Sequence, residues 1–280
     1  MILTIDIGGT NTKFAVFDKE HIVTRGSWKT ISNKALIIDK ILGISSENYS
    51  ALCISTGGFW EEGKCVGYET LELTADGTFI EELSMRLKCD VFIDNDAHCA
   101  LYSEIKEGAL KGYNNGAIIL LGSSIGCAVM INGKPYRGST GQAGQLFLMP
   151  EFYDGSIYLY DKFANTLKLT EEYGGINMKG NMFKVIENSI KGDEIASILV
   201  NRYIKTVALK CWYIYLMYDV RVIAIGGGIA ESDFIFDGVI AEVNKLFVND
   251  KTNRQPNIVR TLLGKDCILT GAFLMSKETK

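Results

Sequence analysis

The sequence predicts an α/β fold of two lobes with similar construction. Three observations carry this expectation. Short apolar runs alternate with polar stretches of helical spacing along the chain. The pattern strand, glycine turn, strand occurs twice, first at 2–18 and again at 117–131. No low-complexity linker separates the halves, so the lobes are expected to pack closely around a cleft.

Taken in order, strand candidates occupy 2–7, 12–18, 50–55 and 89–93. Between them, 32–42 and 78–87 space their apolar residues as helices do. Asp94-Asn95-Asp96 follows the fourth strand and opens a helix running to about Glu107, stopped by Gly108. In the second half, 117–121 and 127–131 are strands around a turn at 122–126, and Asn132-Gly133 marks a tight hairpin before Lys134. Asp193 is a reasonable N-cap for a long helix ending near Tyr218. A buried strand at 220–225 ends in Gly226-Gly227-Gly228, and 232–247 reads as a helix. A last strand-like segment begins near Thr261, and 271–280 forms a C-terminal helix. The lobes then divide as 1–112 and 113–265, with the helix within 266–280 packing back on the first.

Composition narrows the functions. The net charge of −4, with no local run of Lys and Arg, excludes a large nucleic-acid footprint. The 29 glycines among 280 residues suit tight turns and close approaches of backbone to a ligand. The seven cysteines are an odd number, never closer than ten residues apart, which argues against a disulfide framework. His98 and Cys99 adjoin, but neighbours on a helix point in different directions, so they make a poor metal pair. The apolar stretch 195–218 is interrupted by Asn201, Arg202, Lys205 and Lys210, so it is no membrane span. Met1 leads straight into strand residues with no secretory signal pattern, and a cytoplasmic protein is expected.

The chemistry concentrates in four places. In Asp6-Ile7-Gly8-Gly9-Thr10-Asn11-Thr12-Lys13, Asp6 could hold magnesium through water. The glycines there leave room for phosphate oxygens, Thr10 and Thr12 offer hydroxyls, and Lys13 offers charge. Alone, the segment also reads as a plain β-hairpin with polar decoration, and it is not a Walker loop. Gly122-Ser123-Ser124-Ile125-Gly126 is a second glycine turn, either an ordinary hairpin or a partner phosphate loop that helps to clamp one triphosphate. Gly226-Gly227-Gly228 lies at the carboxyl end of a strand, where α/β sheets bind ligands, and offers bare backbone to an adenine ring or simply a turn. Asn95-Asp96 lies in a similar place. Asp96 there is either a helix cap or a general base for phosphoryl transfer, with Asn95 orienting the acceptor.

These motifs, in this order, resemble the ROK family of sugar kinases, members of the actin-like ATPase superfamily with a ribonuclease H-like fold. The resemblance rests on Asp6-Ile-Gly-Gly-Thr, Asn95-Asp96-Ala97, the 122–126 turn and Ile225-Gly-Gly-Gly-Ile-Ala230, and spans nearly the whole chain. Ile54-Ser55-Thr56-Gly57-Gly58 resembles the family segment whose glycine lies against the sugar, with Gly58 at the matching position. Gly138-Ser-Thr-Gly-Gln-Ala-Gly144 resembles the stretch leading to the sugar-contacting acid, and 192–196 the family's helix start. The resemblance implies ATP and Mg2+ as cofactors, both ATP and sugar in the interlobe cleft, and a homodimer, which is common in the family.

Two departures matter. The family's sugar-contacting Glu is Gln145 here, and its usual His is Leu148. Gln keeps an acceptor, gains donors and loses charge; Leu makes its wall apolar. The cysteine cluster that binds structural zinc in many members has no counterpart, since 149–180 holds no cysteine. The likeness therefore points to the zinc-free branch of β-glucoside, N-acetylmannosamine and simple hexose kinases, without zinc.

Three functions compete. The first is an ATP- and magnesium-dependent sugar kinase with Asp96 as base and Gly58, Asn95 and Gln145 positioning the sugar. The second is a catalytically weak or silent sugar binder, suggested by Gln145. The family's repressors carry a DNA-binding segment before the first phosphate loop, which this sequence does not show. The third is another actin-like phosphotransferase acting on a non-sugar acceptor.

Overall fold

The computed structural model describes residues 1–44, 49–61, 64–67, 78–158, 163–248 and 254–278. The chain begins with β1 (Ile2–Ile7), β2 (Asn11–Asp18), β3 (His21–Lys29) and α1 (Lys34–Leu42), then β4 (Ala51–Thr56), β5 (Phe59–Glu61) and β6 (Lys64–Gly67). Next come α2 (Phe79–Leu87), β7 (Asp90–Asn95) and α3 (Asp96–Glu107). The order continues with β8 (Gly116–Leu121), β9 (Ile125–Ile131), β10 (Lys134–Tyr136), β11 (Glu151–Tyr153), β12 (Ser156–Tyr158), α4 (Thr166–Gly174) and α5 (Met182–Ile190). It closes with α6 (Glu194–Tyr218), β13 (Val222–Gly226), α7 (Asp233–Phe247), β14 (Asn257–Arg260) and α8 (Cys267–Glu278).

The chain forms two compact units. The first gathers Met1–Glu107, Arg137–Ala143 and Asp266–Lys280; the second, Gly108–Tyr136 and Gly144–Lys265. The first is built on a five-stranded sheet ordered β3-β2-β1-β4-β7, antiparallel through β1 and parallel beyond it. Alternation along the strands decides its faces. Leu3, Ile5, Ile7, Leu52 and Ile54 pack against Ile37, Ile38 and Ile41 of α1 and Phe79 and Leu83 of α2. Ala15, Phe17 and Cys53 pack on the other face against Cys99 of α3 and Leu269, Ala272 and Phe273 of α8, with Phe17 and Phe273 stacked at 4.2 Å. Helices on both faces bury β1 on both sides, and its run of apolar residues follows from that.

The second unit repeats the strand order as β10-β9-β8-β13-β14, again antiparallel then parallel. Its core joins Ala117, Ile119 and Leu121 of β8 to Leu199, Val200, Tyr203, Val207 and Cys211 of α6. Asp193 caps α6 by accepting from the Ala196 N–H at 2.7 Å, and Asn132 and Gly133 both take positive φ in the β9–β10 hairpin. No helix among the described residues is long and apolar enough to cross a membrane.

Among the boundaries that differ from the sequence expectation, three bear on the site or the packing. Strand β7 runs on through Asn95, because Thr56 of β4 pairs with it, so the helix opens at Asp96 rather than Asp94. The last strand is Asn257–Arg260 rather than a segment from Thr261; parallel pairing of Ile258 with Ile223 defines it. Helix α8 starts at Cys267, and Gly271 lies inside it. A Cβ on Gly271 would fall 1.6 Å from the Cys99 carbonyl oxygen, so this glycine lets two helices touch instead of starting one. Of the expected C-terminal helix, residues 279–280 lie outside the described residues.

Candidate active site

In the first unit, the register places Lys13, Asp6, Ser55 and Asp94 in one row across β2, β1, β4 and β7. Ile7, Thr56 and Asn95 align in the next row, where the three parallel strands end. The polar residues thus collect at the carboxyl end of the parallel strands, where such sheets bind ligands.

Asp6 is buried and accepts from the Ser55 hydroxyl at 3.1 Å. Burial, and then the nearby Asp96 carboxylate, push its carboxyl up to about 7, with Lys13 and Ser55 pulling only partly back. Lys13 itself is exposed. The turn between β1 and β2 closes on itself, the Gly8 N–H donating to the Asn11 carbonyl at 3.2 Å. Thr30 fastens it from beside: its hydroxyl donates to the Gly8 carbonyl at 2.5 Å and its N–H to the Thr10 carbonyl at 3.1 Å. Gly9, Thr10 and Asn11 are exposed. Thr12, grouped with them by the sequence reading, is turned inward by the strand pleat. It is fully buried, and its hydroxyl lies 3.0 Å from that of Thr30. Thr12 therefore braces the turn, its hydroxyl engaged within the unit.

At the head of α3, the cap is Asn95 and not Asp96. The Asn95 Oδ1 accepts from the N–H groups of Ala97 at 3.0 Å and His98 at 3.4 Å, and its Nδ2 donates to the Gly58 carbonyl at 3.0 Å. Asn95 thus ties Gly58 to the helix through one of its two amide hydrogens. Asp96 is half-buried and accepts from the Ala97 N–H at 2.8 Å. Burial raises its carboxyl above the ordinary range, the Ala97 and His98 contacts offset part of this, and Asp94 adds a smaller push upward. A half-buried carboxylate with a raised pKa suits a general base.

Asp94 behaves oppositely. Burial would raise it, but hydrogen bonds from Arg137 and His98 hold it down at about 2. Arg137 forks onto it, Nη1 donating to Oδ1 at 2.8 Å and Nη2 to Oδ2. Arg137 was missed by sequence reasoning, and no local signal announces a pair 43 residues apart. Ser55 and Thr30 escaped for the same reason.

In the second unit, Gly122, Ser123 and Ser124 form the turn between β8 and β9, with Gly122 and Ser123 exposed, while Gly126 already lies in β9, paired with Leu120, because the strand begins at Ile125 rather than 127. The Thr166 hydroxyl donates to the Gly122 carbonyl at 3.0 Å and its N–H to that of Ser123 at 2.9 Å, so the start of α4 holds the turn. Gly227, at φ 89°, lies against the Leu121 backbone, where a Cβ would come within 2.5 Å of the carbonyl oxygen. A Cβ on Gly226 would meet Thr261 at 2.7 Å. At both positions the chain's own packing demands glycine, whereas a Cβ on Gly228 would meet nothing within 4 Å.

Gln145 is buried, and its Nε2 has no hydrogen-bond partner among the described residues. Its neighbours are fixed. The Gly144 N–H donates to the Tyr218 hydroxyl at 3.2 Å, and the Lys210 ammonium donates to the Leu146 carbonyl at 2.9 Å while pairing with Glu151 at 3.2 Å. Leu148 is half-buried. Among the described residues no group of three or more His, Cys, Asp and Glu is placed to hold a metal ion. A magnesium ion asks less of the protein, since it keeps most of its water and takes one or two carboxylates plus phosphate. The hard oxygens of Asp6, a carboxylate whose proton affinity is raised beside a second carboxylate, fit that demand.

Two five-stranded sheets of one strand order, with the polar residues gathered where the parallel strands end, define the actin-like ATPase fold. The chain belongs to the ROK family, whose sequence profile matches residues 2–279. It is similar to the N-acetyl-D-glucosamine kinase of Aliivibrio fischeri, 25% identical over 314 residues that cover 99% of this chain and 100% of that one. Its fold is similar to that of a ROK family protein from Streptococcus pneumoniae in complex with sucrose, with TM-score 0.82, 24% identity, and 100% and 99% of the two chains covered. It is likewise similar to a ROK family glucokinase from Streptomyces griseus in complex with glucose and AMPPNP, with TM-score 0.80, 18% identity and 99% of each chain covered.

Proposed function

We propose that this protein transfers the γ-phosphoryl group of ATP to a hydroxyl of a hexose or hexose derivative of the glucose, N-acetylmannosamine or β-glucoside type. The chain is an ATP-dependent carbohydrate kinase by family. One observation carries the assignment of roles: Asp6 near the end of β1 and Asp96 at the head of α3, just beyond β7, both lie where the parallel strands end, and the Asp96 carboxylate helps to push that of Asp6 up. Asp6, across the register from Lys13, is the residue to hold Mg2+ through water. Gly8, Gly9, Thr10, Asn11 and Lys13 are the phosphate side, joined by Gly122, Ser123, Ser124, Gly126 and Gly228. Asp96 takes the proton of the attacking hydroxyl, while Gly58, Asn95 and Gln145 orient the sugar. Magnesium, when bound, neutralises phosphate charge as it builds in transfer. The name N-acetyl-D-glucosamine kinase carried by a relative adds amino sugars to the acceptors worth trying.

A panel of hexoses, acetamido sugars and β-glucosides, read by coupled ADP release, tests this reading. Sugar-dependent turnover supports it; no sugar raising turnover above the ATP background would sink it. The neutral Gln145, where the family has a sugar-contacting Glu, favours a second reading, a sugar binder with weak or silent chemistry. Calorimetric sugar binding without ADP release would select that one.

A further inference from the structure

A closed circuit of contacts surrounds the start of α3. Arg137 opens the segment Arg137–Ala143, which groups with the first unit although the chain on either side of it belongs to the second. Its guanidinium forks onto the buried Asp94, and Nη1 also lies 3.2 Å from His98 Nδ1. Asp94 in turn accepts from the Asn95 N–H at 2.7 Å. From Asn95 the path runs to the Gly58 carbonyl, and the Trp60 indole N–H donates to the Gly57 carbonyl at 3.2 Å. Gly141 lies against the Trp60 backbone, and the Ala143 N–H returns to the Arg137 carbonyl at 3.2 Å. Arg137 closes the circuit.

We propose that Arg137 is a positioning residue for phosphoryl transfer: by gripping Asp94 it fastens the 137–143 loop to the head of α3 and holds Asn95 and Asp96 in place for the acceptor. This rests on the kinase reading above. Arg137 acts through Asp94 and performs no chemistry of its own. The pair is nearly buried on the Asp94 side and two-pronged, so a lysine, with one charged point, cannot reproduce it.

The test compares wild type with Arg137→Met, Arg137→Lys and the double variant Asp94→Asn/Arg137→Met. With the best sugar of the panel, Arg137→Met is expected to lose about 100-fold in kcat/KM for sugar, the scale of a small misplacement of reacting groups. KM for ATP should stay within about twofold, and Arg137→Lys should fall between. The double variant should lose no more than Arg137→Met, because the neutral Asn leaves no buried charge behind. Hydrogen exchange of the ligand-free proteins gives a readout independent of activity. Arg137→Met should speed exchange in 94–99 and in 137–143 while the second unit's core strands keep wild-type rates. Unchanged kcat/KM, or sugar and ATP constants worsening together with exchange rising everywhere, would overturn the proposal. Should wild type phosphorylate no sugar, the kinase reading falls, and the exchange in those two segments alone decides the role of Arg137.

Discussion

Asp6 and Lys13 are cross-strand partners in the β1–β2 register, yet the carboxylate is buried and the ammonium exposed. Lys13 therefore offsets only part of the cost of burying Asp6, and the carboxyl is pushed up to about 7. The folded chain holds a proton here that the unfolded chain releases above about pH 4. Stability of the ligand-free protein should thus fall as pH rises from about 4 to about 7, by on the order of 2–4 kcal/mol from this group. Asp6→Asn should flatten that slope and be the more stable protein at pH 8. Urea unfolding at several pH values checks this, and matching slopes in the two proteins would exclude it.

Asp96→Asn keeps the shape of the helix head but cannot accept the hydroxyl proton. Turnover should drop about 100-fold to 10,000-fold while sugar binding persists. Calorimetry beside the coupled assay separates the two quantities. Wild-type turnover in the variant removes Asp96 from the role of base.

Lys210 is almost fully buried on α6, paired with Glu151 and bonded to the Leu146 carbonyl. Lys210→Met would strand a buried carboxylate, at a cost of about 3–5 kcal/mol. Adding Glu151→Gln should recover part of that loss, as chemical denaturation of the single and double variants would show.

Gly271→Ala places a methyl group where the Cys99 carbonyl already stands, so α8 must draw away from α3. Overpacking of this kind costs about 3 kcal/mol. Because α3 begins with Asp96, the variant should also lose activity per folded molecule. A thermal melt matching wild type would show that the helices can separate freely.

Much of this architecture is written locally. The apolar runs of β1 and β8, the Asp193 cap and the Asn132-Gly133 hairpin are all decided by near neighbours, and all are legible in sequence. Strand β3 is not, because His21–Lys29 is an edge strand with mostly exposed side chains and so lacks a core-facing alternation. Helices α4 and α5 were overlooked, although Asn165 and Asn181, which cap them, were the available signals. The site divides the same way. Asp6, Lys13, Asn95 and Asp96 stand out by residue type and motif. The inward turn of Thr12, the bracing by Thr30 and Ser55, and the grip of Arg137 depend on which strands become neighbours, and no short window of sequence contains that.

The use of α8 in the first unit also bears on how the protein is made. Ala15 and Phe17 are synthesised long before Leu269 and Phe273, which pack against them. Until those residues leave the ribosome, the part of this sheet face around Ala15 and Phe17 lacks its α8 cover, and a chain released before residue 266 would keep that part bare. For this half of the molecule, completion of the sheet's cover waits on a helix far along the chain, and a nascent chain carries that exposed apolar surface until α8 emerges.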